Sequence, residues 1–113
     1  LDVGIDGKRF VTTGNEHGLS TAETVFAYRT DGAAITGSYG GGDVADGQIV
    51  GRVTGPDTIE LLFQCRTKGG GLLAGRSRGR VRLNAQGLTE LHFDWVWLAG
   101  DSGGGTSSYV ELR

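Results

Sequence analysis

Ser102 sits in the run Gly100-Asp101-Ser102-Gly103-Gly104-Gly105, where small neighbours leave a hydroxyl accessible, as the nucleophile of an acyl-transfer site must be. A serine works that way only when a histidine takes its proton and an acid orients that histidine. The chain has two histidines, His17 and His92, and neither stands in a pattern that delivers it to Ser102. The run also falls where a turn must join the last two extended segments, so Ser102 reads as a loop residue. The glycine tracts 40–42 and 69–71 lack both Gly-x-Gly-x-x-Gly spacing and a following Lys-Ser/Thr, so they read as turns and not as phosphate cradles. His17, His92 and Cys65 have no metal-ligand spacing, and His92 between Glu90 and Asp94 reads as part of a polar row. No metal and no cofactor is expected.

The aromatic residues carry more information. Alternation along the extended segments sends Phe26, Tyr28, Tyr39, Phe63, Phe93, Trp95 and Trp97 to one side. Such a cluster either fills a core or forms the walls of a pocket for a small apolar or aromatic molecule. In the second case Thr24, Ser77 and Glu111 supply a few polar groups, and the buried Tyr and Trp polar atoms need partners of their own. Were the pocket catalytic, Glu111, Tyr28 and Tyr39 are the proton-transfer or hydrogen-bonding candidates.

The elements that must position these residues are strands. No sustained i, i+3, i+4 pattern occurs, whereas period-2 segments recur at 8–14, 22–30, 33–40, 44–54, 58–67, 71–83, 87–98 and 106–112. Turn residues separate them: Asp31-Gly32, Lys68-Gly69-Gly70 and Asn84-Ala85-Gln86-Gly87, with Asp46-Gly47 a bulge or tight turn. Links this short force sequential antiparallel neighbours. One face carries the aromatic set with Ile35, Ile49, Val53, Ile59, Leu61 and Leu91. The other carries Arg29, Arg52, Gln64, Arg66, Arg76, Arg78, Arg80 and Arg82, facing Glu90, His92 and Asp94 for cross-strand ion pairs or, as a sharper reading, an anion site. For strand 22–30 the inner face stays open, because Val25 and Ala27 are apolar too. Eight strands with one apolar face and no helix to cover it are expected to close, which removes unpaired edges. The fold class is all-β, a single eight-stranded antiparallel up-and-down barrel of the lipocalin or avidin kind. Gly37, Gly51 and Gly75 are read as places where coiled strands bend.

Composition agrees. The 113 residues suit one domain over 1–113, and 22 glycines spread among apolar runs imply many turns. A net charge of −2 gives no field for nucleic acid or an anionic membrane, and no apolar run approaches the ~18–20 residues of a spanning helix. Neither partner is expected. One cysteine, Cys65, excludes an internal disulfide and favours the cytoplasm. The opening Leu1 is not read as a native start.

Thr24-x-Phe26-x-Tyr28, Ser38-Tyr39-x-Gly41-Gly42, Gly47-x-Ile49-x-Gly51, Gly75-x-Ser77, Leu91-x-x-x-Trp95-x-Trp97, then Gly100-Asp101 and Glu111, resemble a family of small bacterial proteins that often carry the label N-acetylglutamate synthase. The resemblance runs from Gly7 to Glu111 and, being made of glycines and aromatics, implies a shared fold. An acetyl-CoA-dependent transferase needs a helix N-terminus for the pyrophosphate, and the strand pattern provides none. Phe93 also stands where a glutamate two positions before Trp95 would be expected. The resemblance therefore implies architecture without acetyl transfer.

Three functions fit such a barrel. The first is a module binding a small molecule in its lumen. The second is a cyclase or isomerase in the same lumen, with a carboxylate or tyrosine as acid or base. The third is a structural or homo-oligomeric protein with a filled lumen.

Overall fold

The structure is a computed structural model and describes residues 3–113. Eight strands follow in order: β1 (Arg9–Asn15), β2 (Val25–Asp31), β3 (Ala34–Gly41), β4 (Val44–Val53), β5 (Thr58–Thr67), β6 (Leu72–Leu83), β7 (Thr89–Ala99) and β8 (Gly104–Glu111). Each pairs antiparallel with the next, and β8 returns to β1, so the sheet closes into a barrel. Every expected strand is present. The largest change is at the start of β2, where Thr24 N donates to Thr21 O at 2.9 Å and holds residues 21–24 in a turn.

The seams are unequal in length. β6 and β7 run together from Ala74 to Leu83, whereas the β1–β2 ladder covers Arg9–Val11, extended by backbone bonds of Gly7 and Lys8 to Tyr28. Beyond Val11 the two strands part, and residues 16–24 cross between them.

The barrel has two different ends. At one, Val3 and Ile5 enter the core, with Ile5 and Phe10 fully buried and Thr30 N bonded to Asp6 Oδ1 at 2.8 Å. This end is closed. Around it lie Ile35, Val53, Ile59 and Leu91, all buried. At the other end β1 leaves, β2 enters, and the aromatic residues gather. The open question of strand β2 resolves with Phe26 and Tyr28 inside and Val25 and Ala27 only partly buried.

The strand glycines make room for side chains on neighbouring strands. Tyr39 pairs with Gly47, Phe63 with Gly75 and Phe93 with Gly79 across neighbouring strands. In each pair the ring lies over the glycine, in the space a Cβ would occupy. Gly37 opposite Tyr28 and Gly51 opposite Leu61 follow the same rule. A small-radius lumen thus accepts a ring on one strand because its neighbour has no side chain.

On the outside, the register sets Arg82, Arg80 and Arg78 beside Glu90, His92 and Asp94, as alternation implies. The ion pairs form elsewhere. Glu60 on β5 takes Arg52 at 2.9 Å and Arg78 at 3.2 Å, Asp46 takes Arg66 at 2.8 Å, and Glu90 is held by His92 at 3.0 Å. Glu60 lies between two arginines across the sheet and so outcompetes the acids of β7. Such exposed pairs contribute little.

Glu111 lies at the closed end with a tenth of its side chain exposed, 3.8 Å from Lys8 Nζ and 3.6 Å from Arg113 Nε. Thr89 N donates to its Oε1 at 2.9 Å. That backbone bond first, then the two cations, hold the carboxyl below its ordinary value against the opposing effect of desolvation. A carboxyl depressed in the folded state stabilises fully above its unfolded value of about 4.3 and loses that contribution as pH falls through the folded value. Glu111→Gln is therefore expected to flatten the acid side of the stability curve below roughly pH 4, as read by denaturant titration at a series of pH values. An unchanged acid slope would remove Glu111 from the closed end's stabilising groups.

Candidate functional site

The site is the lumen at the open end. Phe26 stacks on Tyr39 with centroids 4.9 Å apart, and Tyr109 meets Phe26 edge-on at 5.0 Å and Phe93 at 5.6 Å. Trp97 packs edge-on to Trp95 at 5.0 Å and to Phe63 at 5.8 Å. All seven aromatic residues expected from alternation line one cavity, together with Cys65, Ser77, Ser107 and Tyr109. Strand residues Asn15 and Val44 and loop residues Gly18, Leu19 and Ser20 complete its rim.

The space left among these side chains is about 60 Å³. One water needs about 10–15 Å³ and a typical ligand pocket holds about 300–1,000 Å³. The lumen is thus largely filled, with room for a few waters or the head of a small molecule.

Among the described residues no charged side chain lines the cavity. Burial pushes the Tyr28 and Tyr39 hydroxyls far above the ordinary phenol value, and burial likewise raises Tyr109 and the Cys65 thiol. All four groups are neutral near pH 7, so the tyrosines offer hydrogen bonds and not bases.

Among the described residues two buried polar side-chain atoms lack a hydrogen-bond partner, Asn15 Oδ1 and Tyr39 Oη. Tyr39 Oη has the Cys65 thiol beside it, a weak partner at best. Asn15 Nδ2 donates to Ser20 O at 3.0 Å and Ser20 Oγ at 3.1 Å. Because the Ser20 carbonyl can only accept, the amide orientation is determined, and Oδ1 lies against Gly18 of the loop without a hydrogen-bond partner.

The remaining expected residues lie apart. Glu111 is not among the residues lining the cavity that Tyr28 and Tyr39 share; its carboxylate is held by Thr89 N, Lys8 and Arg113. Thr24 is buried but holds Gly41 O through its Oγ1 at 3.0 Å, a structural task. Ser102 is exposed in the β7–β8 connection, its own N–H bonded to Asp101 Oδ1 at 2.7 Å. His92 bonds Glu90 on the outer surface and His17 is exposed in the β1–β2 loop. Among the described residues no three His, Cys, Asp or Glu gather for a metal.

A family model described as Avidin-like protein matches residues 3–112. The chain belongs to the avidin-like family. Avidin-like barrels typically bind small ligands, and the lumen of this avidin-like barrel is where the aromatic residues and the unpartnered polar atoms coincide. No curated protein and no solved structure matches the chain. The family match covers the whole of the region whose glycines and aromatics suggested a shared fold. It gives no support to N-acetylglutamate synthesis, and among the described residues there is no helix with which to hold a pyrophosphate.

Sequence reasoning missed Asn15, Ser20, Cys65 and Tyr109. Alternation could have found two of them, since Cys65 continues Leu61 and Phe63, and Tyr109 precedes Glu111 by two. Asn15 ends a strand and Ser20 lies in a loop, where no periodicity applies.

Proposed function

We propose that the protein is a binding module for a small uncharged molecule with an apolar or aromatic body, held at the open end of the lumen. The observation that carries this reading is the pair of orphaned polar atoms, Asn15 Oδ1 and Tyr39 Oη, in a cavity with aromatic walls and no charge. A buried polar atom left unpaired costs about 1–3 kcal/mol, and a ligand head that donates to Asn15 and bonds Tyr39 would remove that cost. An ionised ligand would find no counter-charge there and would lose its hydration. The enzyme reading is weaker, because its carboxylate does not line the cavity and its tyrosines stay protonated.

The test is native mass spectrometry of protein purified gently from its own source. A copurified neutral compound supports the reading, and Tyr39→Phe is then expected to weaken its binding about 2–10-fold, the value of one hydrogen bond. Without ligand the same variant is expected to be no less stable than the parent, because the removed hydroxyl is unpartnered. A charged compound, or a marked loss of stability in Tyr39→Phe, would count against it.

A second reading, self-association, has its own observation. Val50, Leu62 and Val96 are exposed at one height across β4, β5 and β7, with only Arg76 between the last two, and Leu98 and Leu72 are exposed nearby. Apolar outer residues so grouped favour contact with a second copy. The same spectrum gives the assembly mass, and a strictly monomeric protein would remove this reading.

A further inference from the structure

We infer that residues 16–24, the β1–β2 connection, form a hinged strap that gates the lumen, with Ser20 as its latch. The other connections at the open end are tight: residues 42–43, 68–71 and 100–103. Only 16–24 is long, and it folds inward, so that Gly18, Leu19 and Ser20 line the cavity and Leu19 packs on the core.

Both ends of the strap are tied by backbone or buried groups. Glu16 N donates to Thr106 O at 2.8 Å. Thr24, fully buried, donates through Oγ1 to Gly41 O and accepts from Thr21 N at 3.1 Å. Between them, residues 17–20 carry no backbone-to-backbone hydrogen bond among those described. What holds this stretch down is Leu19 and the latch: Asn15 Nδ2 on Ser20 O and Oγ, and Thr12 Oγ1 on Ser20 Oγ at 3.1 Å. His17, at φ 62°, turns the chain into the strap, and Gly18 lies so close to the Asn15 amide that a Cβ would overlap it. A segment held by a few side-chain bonds opens more readily than a strand ladder. An opening is also required, since a cavity of about 60 Å³ admits nothing sizeable while Leu19 covers it.

Asn15 joins the two functions. Its Nδ2 holds Ser20, its whole amide packs on Gly18, and the residue lines the cavity, so strap and lumen meet at this side chain.

The test needs no ligand and stands apart from the binding reading. Both tryptophans of the chain, Trp95 and Trp97, line the cavity, so fluorescence quenching by acrylamide, itself a small neutral amide, measures access. Ser20→Ala and Gly18→Ala are expected to raise the quenching constant about twofold or more, and Ser102→Ala in the β7–β8 connection to leave it unchanged. In the unaltered protein, amides 17–20 are expected to exchange hydrogen about 100-fold faster than those of β6 and β7. Quenching at the parent value in folded Ser20→Ala, an equal rise in Ser102→Ala, or strap amides protected like those of β6 and β7 would each overturn the gate. Failure of the gate with a copurified compound present would leave the binding module standing, and the reverse result would leave the gate.

Discussion

Trp95→Ala is expected to lower the unfolding free energy by about 3–5 kcal/mol, the range for removing a large aromatic side chain from a packed core. Trp95 is 8% exposed, packs edge-on to Trp97 and lies against Gly105, whose Cβ position is 3.1 Å from its ring. A wall facing an open pocket would cost much less, because its loss would leave no new void. The 60 Å³ that remains beside it places Trp95 on the core side of that distinction. Denaturant unfolding measures the loss. Added indole is then expected to raise the stability of the variant and leave the parent unchanged, since an apolar void that stays dry binds an apolar guest. A loss under about 1 kcal/mol would mean that the lumen around Trp95 is already open, contrary to its packing.

Gly79→Val is the second large effect. Gly79 pairs with Phe93 across β6 and β7, and the Phe93 ring occupies the position of the missing side chain. A valine there drives the ring inward, against Tyr109 at 5.6 Å. Overpacking of this kind costs about 1–3 kcal/mol, and more where the backbone cannot yield. β6 and β7 share the longest seam of the barrel, so little yielding is available. The double variant Gly79→Val, Phe93→Ala is expected to recover part of the loss, because the two positions share one volume. If the single variant unfolds at the parent's denaturant concentration, the ring does not depend on the glycine.

The fold was legible because alternation and turn chemistry agreed. Asp31-Gly32 ends β2 and opens the turn to β3, Asn84-Ala85-Gln86-Gly87 falls between β6 and β7, and the period-2 segments match all eight strands. The aromatic lining was legible for the same reason, Phe93, Trp95 and Trp97 being every second residue of β7. What could not be read was set by contacts between distant segments. Phe10 lies in a strand whose other apolar residues do not alternate clearly, and its burial depends on Ile5 and Val3 closing the end beside it. Asn15 gains its meaning only from Ser20, which a nine-residue loop brings back over it. Glu111 shows the converse. Strand parity sends it inward, but height along the barrel, which parity does not specify, sets it beside Lys8 and Arg113 instead of the tyrosines.

The short β1–β2 seam makes the closed sheet a ring with one thin link. Where Arg9–Val11 lets go of Val25–Ala27, two strands become edges, each with a row of unpaired N–H and C=O groups. Edges of that kind template the strands of other chains. Concentrated, partly denaturing solutions are therefore where strand exchange between copies begins, and it begins at β1 and β2, while β6 and β7 remain joined to the last.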